Sequence, residues 1–255
     1  MANEVGGAMI RTLLRHFSRG RVLKRRLPPE FGNHPFFVTP ESALGYWRHD
    51  LSHVDSFLLS MVRELVRPGM TVWDVGANVG LFSFAAAGLG AEVIAIEADT
   101  WLAHLMQRSA WLNHLPVKVI PAAASNLSGV SRLYVSDNGR ASSSLNGQGR
   151  EQTIATIPLD LLLVPFPAPQ VLKIDVEGAE LVVLEGARKV LDQRPIIFCE
   201  VTQHHVEVGR LLRSAGYTLY AARQRNREPI ERPSVDTLAI PAMPTDPSPS
   251  PAKPK

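Results

Sequence analysis

The chain has 255 residues, of which 45% are hydrophobic and 20% are charged, and its formal net charge is +3. This composition predicts a globular protein with one substantial core, and no apolar run approaches the roughly eighteen residues that a membrane span requires. The single cysteine, Cys199, excludes an internal disulfide framework and a cysteine-based zinc cluster, and the small net charge argues against a surface devoted to nucleic acid.

The two ends of the chain differ in composition from its middle. The first 27 residues are rich in arginine and lysine interleaved with apolar residues. A partly flexible leader is the favoured interpretation, and an amphipathic helix with weak contact to an anionic surface is the alternative. Six prolines between positions 241 and 255 predict a disordered tail. We therefore expect a leader at 1–40, one domain at 41–240 and a tail at 241–255, in a protein located in the cytoplasm because no apolar signal segment is seen.

The middle of the chain alternates between strand-like and helix-like segments. Such βαβ units imply a parallel sheet with helices on both faces and a ligand crevice at the carboxyl ends of the strands. The region 123–160 is predicted to be an insertion near this crevice, and its hydroxyl-rich segment 138–144 either covers substrate or is an ordinary surface loop. Predicted strands lie near 71–75, 92–97, 117–120, 171–175 and 196–200, predicted helices near 79–88, 100–113, 179–193 and 206–214, and a closing antiparallel pair at 216–220 and 237–240.

A glycine-containing run from Asp74 to Gly80 joins the first of these strands to its helix. Glycines at such bends permit unusual backbone angles and remove side chains where a ligand must touch the main chain. Asn78 and the glycine spacing differ from the dinucleotide fingerprint, and Gly80 is not followed by the lysine and hydroxyl of a P-loop. The next strand ends in Glu97, whose carboxylate is placed to bind ribose hydroxyls. The pattern predicts a nucleotide-like cofactor.

Two segments, 74–80 and the run LKIDVEGAE at 172–180, together resemble the FkbM family of S-adenosylmethionine-dependent methyltransferases. The resemblance extends from about residue 45 to residue 220. It implies a class I methyltransferase fold, which is an α/β, Rossmann-like, doubly wound sheet, mostly parallel with an antiparallel C-terminal strand pair. It also implies O-methylation of a hydroxyl on a sugar, a glycan or a natural-product small molecule.

The resemblance further implies a site for S-adenosylmethionine at the glycine turn. Asp74 would anchor either the turn or the amino group of the cofactor, and Glu97 would bind the ribose hydroxyls. Ala98 stands where the family usually has proline, a difference that concerns loop shape. Ala123 would contact the adenine, although no acidic residue stands there to bind the exocyclic amine. The complete predicted cofactor set is Asp74, Gly76, Ala77, Asn78, Gly80, Glu97, Ala98, Ala123 and Asp175.

Methyl transfer to a hydroxyl is an in-line displacement that needs alignment and a proton acceptor. Asp175 ends the fourth strand and Glu200 the fifth, so the two carboxylates would be neighbours, as a base with its orienting partner or as ligands of a divalent cation such as Mg²⁺. Glu177 either joins them or caps the following helix. His204 is either a general base or a solvated loop residue. Pairing with a carboxylate is expected for Lys173, inside the buried strand.

A second interpretation, from another class, is a cofactor-binding scaffold or partner subunit of this fold without turnover. The retained carboxylates Asp175, Glu177 and Glu200 argue against it. A nicotinamide oxidoreductase is disfavoured by Asn78. We expect a small-molecule or glycan acceptor, no nucleic-acid partner and no integral membrane segment.

Overall fold

The computed structural model describes residues 17–136 and 149–242, together with Leu14 and Arg140. Its strands are β1 (Leu23–Arg26), β2 (Pro35–Val38), β3 (Thr71–Val75), β4 (Glu92–Glu97), β5 (Val117–Pro121), β6 (Ala123–Ala124), β7 (Gly129–Val135), β8 (Arg150–Ile157), β9 (Val171–Ile174), β10 (Ile196–Glu200), β11 (Tyr217–Ala221) and β12 (Asp236–Pro241). Its α-helices are α1 (Ser56–Leu65), α2 (Leu81–Gly88), α3 (Thr100–Asn113), α4 (Glu180–Glu185), α5 (Arg188–Asp192) and α6 (His205–Ser214).

The centre of the described fold is a seven-stranded sheet in the order β11–β12–β10–β9–β3–β4–β5. The strands from β10 to β5 pair in parallel, whereas β12 is inserted antiparallel between β10 and β11. β3 is buried at every position, as a strand covered on both faces must be. The predicted doubly wound sheet with an antiparallel C-terminal pair is confirmed.

Two apolar cores cover the two faces of this sheet. Successive residues of β4 alternate between them, so that Val93 and Ala95 belong to one core and Ile94 and Ile96 to the other. The first core contains residues of α1, α2 and α3, and the second contains residues of α4, α5 and α6. No helix in the described part of the chain is long and apolar enough to cross a membrane.

The prediction of one continuous helix over 179–193 is wrong, because the structure has two shorter helices there, α4 and α5. The division falls at Gly186. A Cβ atom on that glycine would lie 2.0 Å from the carbonyl oxygen of Ser125, so the chain after β6 passes against the helix at this point. The interruption therefore follows from a tertiary contact between distant segments.

The amino-terminal part of the domain also differs from the predicted leader. β1 pairs antiparallel with β2, and Phe36 of that hairpin is fully buried with its ring centroid 5.6 Å from that of Phe84 on α2. Arg25 is buried and donates hydrogen bonds to three backbone carbonyl oxygens of residues 46–48. Residues 23–38 therefore belong to the folded unit. The rest of the predicted leader and the tail after residue 242 lie outside the described residues.

A smaller sheet in the order β6–β8–β7 occupies the predicted insertion at 123–160. β7 and β8 pair antiparallel, from Gly129 opposite Thr156 to Val135 opposite Arg150. β6 follows β5 directly, so the small sheet stands at the carboxyl edge of the large one. Within the predicted segment 138–144, only Arg140 is among the described residues.

We expect Phe36→Ala to lower the free energy of unfolding by about 3–5 kcal/mol, because it removes a fully buried ring from the contact between the hairpin and α2. Urea denaturation followed by circular dichroism measures the change. Leu127→Ala, at a residue 71% exposed, is the control and should stay within about 0.5 kcal/mol of the unaltered protein. A loss below about 1 kcal/mol for Phe36→Ala would mean that the hairpin contributes little to the domain.

Candidate active site

A cleft opens at the carboxyl edge of the central sheet, where the glycine turn, the end of β4 and the segment after β9 meet. It encloses about 770 Å³ of empty space, a volume that includes open solvent at its mouth. Both predicted motifs contribute to its walls. The predicted site residues that line it are Gly76, Asn78, Glu97, Ala98, Ala123, Asp175 and Glu177.

The glycine turn is fixed by its backbone contacts to the neighbouring strands. Gly76 has φ +72°, and a Cβ atom there would lie 1.7 Å from the carbonyl oxygen of Asp175. Only glycine allows this approach. The amide nitrogens of Gly76 and Ala77 donate to the carbonyl oxygen of Ile96 at 2.9 and 3.1 Å. Asn78 also takes a positive φ, and its Oδ1 accepts from the amide of Val79 at 2.7 Å. The turn is therefore held between β4 and the end of β9.

Glu97 is 8% exposed and is held by two backbone donors. Its Oε2 accepts from the amide of Asn78 at 2.7 Å, and its Oε1 accepts from the amide of Asp99 at 2.8 Å. Burial raises the pKa of Glu97 to about 7, although these two hydrogen bonds oppose the rise. A carboxylate has about four acceptor positions, so each oxygen retains the capacity to accept from a ligand hydroxyl.

A buried ammonium group joins the two motifs. Lys173 is 3% exposed, and its Nζ lies 2.8 Å from the carbonyl oxygen of Gly76, 3.2 Å from Asp74 Oδ1 and 3.4 Å from Asp175 Oδ2. Burial disfavours the charged ammonium, but the two carboxylates outweigh that effect and raise the pKa of Lys173. The predicted pairing of this lysine with a carboxylate is confirmed, and we call this arrangement the lysine clamp.

Asp74 takes part in the clamp from the interior of the protein. It is fully buried, and its Oδ2 accepts a hydrogen bond from Ser83 Oγ at 2.6 Å. Asp74 therefore anchors the turn to α2 and does not line the cleft. The structure places Ala77 in the first core and Gly80 at the start of α2, also away from the cleft wall.

The carboxylates of the second motif differ in their surroundings. The Asp175 side chain is 34% exposed at the cleft, with Oδ2 on the clamp. Glu177 lies at the cleft mouth with φ +50°, and desolvation, followed by the charges of Asp175 and Glu180, raises its pKa. The capping alternative for Glu177 does not hold, because α4 begins at Glu180, whose own carboxylate accepts from the amide of Gly178.

Two predicted catalytic residues lie outside the cleft wall. Glu200 is half-buried at the end of β10, and burial, followed by the charges of Asp175 and Asp236, raises its pKa to about 7. His204 is exposed in a left-handed turn immediately before α6 and makes no side-chain cap to that helix. Neither residue lines the cleft. The position of His204, exposed and outside the cleft wall, does not support a role as the general base.

The donor set does not fit a divalent cation. Among the described residues, no group of three or more histidine, cysteine, aspartate or glutamate side chains is arranged to hold a metal. One oxygen of Asp175 is already paired with the ammonium of Lys173, and Glu200 stands outside the cleft wall. The Mg²⁺ hypothesis is not supported by these residues.

Sequence reasoning missed an ion-paired group at the cleft. Arg140 lines the cleft, and its guanidinium pairs with Asp99 and, at 3.4 Å, with Glu41. Asp99 also caps α3 by accepting from the amide of Trp101, so its position directly before a helix was a usable signal. Nothing in the composition around Arg140 distinguished it from a surface loop residue.

The fold is that of class I methyltransferases. The 16S rRNA N2 G1207 methyltransferase of T. thermophilus, solved in complex with AdoMet and guanosine, aligns with a TM-score of 0.50 and 13% identity over 88% of this chain and 50% of that chain. At this identity the likeness concerns the fold alone. The family model described as the methyltransferase FkbM domain matches residues 74–219. This chain belongs to the FkbM methyltransferase family.

Two curated methyltransferases match shorter segments. The ribosomal protein L11 methyltransferase of Desulfitobacterium hafniense is 32% identical over 82 residues, which is 32% of this chain and 25% of the relative. The tRNA (guanine(37)-N(1))-methyltransferase of Leishmania major is 32% identical over 120 residues, which is 44% of this chain and 17% of the relative. This chain thus spans a quarter or less of the curated relatives that it matches.

We expect a pH-dependent contribution of Glu97 to stability. Its pKa of about 7 in the folded protein lies above the ordinary value of 4.5. The folded state therefore favours the protonated carboxyl, and the stability that Glu97 contributes is fully present below pH 4.5 and is lost as the pH rises through 7. The stability of the unaltered protein relative to Glu97→Gln should fall by about 3 kcal/mol between pH 4 and pH 8. Urea titrations across this range measure the difference, with Glu92→Gln at an exposed position of the same strand as the control. A difference that rises with pH would contradict the assignment.

Proposed function

We propose that this protein is an S-adenosylmethionine-dependent O-methyltransferase that acts on a hydroxyl of a sugar, a glycan or a natural-product small molecule. The proposal is based on one cleft whose wall contains three carboxylates. Glu97 is placed to bind ribose hydroxyls, and Asp175 and Glu177 lie on the side of the second motif. Membership of the FkbM family supports methyl transfer, and the AdoMet bound to the T. thermophilus relative supports this choice of cofactor.

The residues of the cleft fit the parts of such a cofactor. Glu97, oriented by two backbone donors, would accept from the ribose hydroxyls. The small apolar side chains of Ala98 and Ala123, also in the wall, would contact the adenine. The negative charge of Asp175 and Glu177 would favour the cationic methionine portion. When bound, the cofactor supplies a methyl group on a sulfonium sulfur. The sulfur is the leaving group and keeps the electron pair of the broken carbon–sulfur bond.

The chain itself must position the acceptor hydroxyl and remove its proton. Lys173 holds one oxygen of Asp175, so the other is presented to the cleft in a fixed orientation, and we assign Asp175 to aligning the hydroxyl. We assign Glu177 to accepting the proton, because it lines the cleft and its raised pKa brings it nearer to neutrality. Its left-handed backbone is a conformation often found at functional sites.

We expect Glu97→Gln to weaken binding of S-adenosylhomocysteine by about 10- to 100-fold, because a charged acceptor of two hydroxyl donors is lost. Asp175→Asn is the matched control at the other side of the cleft, and it should change the affinity by less than about threefold. Isothermal titration calorimetry measures both. Absence of binding to the unaltered protein would overturn the cofactor assignment, and equal losses in the two variants would contradict the division of roles.

Methyl transfer is tested by incubating the protein with labelled S-adenosylmethionine and an extract of its own source, with the labelled product identified by mass spectrometry. With that acceptor, we expect Glu177→Gln to lower kcat by about 10²- to 10⁴-fold, as loss of a general base does. Its affinity for S-adenosylhomocysteine should stay within about threefold. Tight cofactor binding without transfer to any hydroxylated acceptor would instead favour a scaffold of this fold.

A further inference from the structure

A second groove lies beyond the cleft, between α1 and the segment that follows β11. Three arginines, Arg223, Arg225 and Arg227, line it together with Phe57 and Glu64, and we call it the arginine groove. It encloses about 710 Å³ of empty space, including its opening. Its lining contains three arginines and one carboxylate. Glu64 pairs with Arg227 and Asp236 pairs with Arg223, so the groove has one more arginine than it has paired carboxylates.

Arg227 connects the two sides of the arginine groove. Its guanidinium pairs with Glu64 on α1 and donates to the carbonyl oxygen of Ala222 at 2.9 Å. These contacts fix the segment after β11 against the helix. They also occupy Arg227, so binding in the groove depends on the other two arginines.

Arg223 is held in place with part of its guanidinium unused. Its Cζ lies 4.0 Å from the ring centroid of Phe57, and its Nε donates to a carboxylate oxygen of Asp236. The side chain is 63% exposed, and its two terminal nitrogens have no hydrogen-bond partner among the described residues. A planar group that is already ordered and presents two parallel donors suits bidentate binding of an oxyanion.

Arg225 adds a charge that no described carboxylate neutralises, whereas Arg223 and Arg227 are paired with Asp236 and Glu64. It is exposed in the groove wall, and it forms no ion pair with any residue that the structure describes. An exposed cation next to an oriented guanidinium attracts a compact anion more strongly than it attracts a neutral ligand.

We propose that the arginine groove binds an oxyanion, a phosphate or carboxylate group, carried by the methyl acceptor, so that the acceptor is an anionic small molecule or glycan. This inference rests on the proposed function, because it places the reacting hydroxyl of the same acceptor at the cleft. Arg223 binds the oxyanion through its two terminal nitrogens, and Arg225 contributes a second contact.

The topology sets the distance between the two sites. β9 ends at the cleft, and β10, β12 and β11 follow it in order across the sheet. Glu200 on β10 stands opposite Asp236 on β12 in the strand register. The carboxylate of Asp236 in turn pairs with Arg223. Three strand spacings separate the ends of β9 and β11, or about 14 Å. An acceptor that reaches both sites is therefore elongated, with a length on the order of this separation between the strands.

The charges between the two sites favour a single anion over a nucleic-acid backbone. Asp175, Glu200 and Asp236 stand along this edge of the sheet. A nucleic-acid strand laid from the arginine groove to the cleft would bring its phosphodiester groups past these carboxylates, and nucleic acids are held by rows of phosphate contacts. One localised anion with an uncharged remainder avoids that repulsion.

The test uses the full chain and three probes, namely inorganic phosphate, acetate and a short single-stranded RNA. Side-chain NMR of the arginine Nε–H groups follows binding. We expect phosphate or acetate to shift the signals of Arg223 and Arg225 saturably at about millimolar concentration, and the stronger of the two identifies the group. Arg223→Gln should weaken the binding at least about tenfold. Arg188→Gln, at an exposed arginine on α5, should leave it unchanged.

Arg225→Gln removes no described ion pair and therefore tests the groove even if Arg223→Gln destabilises the protein through Asp236. Absence of saturable shifts with both small anions overturns the proposal, as does an equal response of Arg188. Binding of RNA alone also overturns it and assigns the surface to nucleic acid. Titration of S-adenosylhomocysteine into the same samples tests the proposed function separately, because its failure would leave the anion result standing.

Discussion

The lysine clamp is the interaction on which the cleft depends. The ammonium of Lys173 contacts the carbonyl oxygen of Gly76, the buried Asp74 and the cleft-facing Asp175. These contacts place the turn after β3 against the end of β9 so closely that no Cβ fits at Gly76. Removing one partner of such a buried group leaves an uncompensated charge, which costs about 3–5 kcal/mol. The two motifs are therefore one structural unit, although about a hundred residues separate them in the chain.

Outside the clamp, the cleft and its surroundings carry excess negative charge. Desolvation, followed by the negative charge of Asp175, raises the pKa of both Glu177 and Glu200. In the proposed reaction the cofactor loses its sulfonium charge when the methyl group is transferred. The same carboxylates then attract the reactant form more strongly than the neutral product. The same negative charge would therefore help the site to accept a proton and to release the neutral product.

The sequence predicted the elements whose pattern is local. α3 spans the predicted residues 100–113, and Asp99 caps its first turn. β3 was recognisable from its apolar residues Val72, Trp73 and Val75, which suit a strand buried on both faces. The break at Gly186 depends on a carbonyl oxygen about sixty residues away. The β1–β2 hairpin was not predicted, because its first strand lies in a segment rich in arginine and lysine. Arg25 of that strand is buried, and backbone carbonyl oxygens accept its hydrogen bonds.

The sequence predicted many of the residues near the candidate site, but it did not predict which of them are buried and which line the cleft. The motifs named Asp74 and Asp175 alike, and only the three-dimensional arrangement shows one inside the protein and the other at the cleft. The same limitation applies to arginines. Arg223 and Arg227 stand four residues apart in the run RQRNR. Glu64 pairs with Arg227, whereas Arg223 keeps two donors unpaired within the described structure. Partner geometry, and not charge count, decides which arginine has donors left for a ligand.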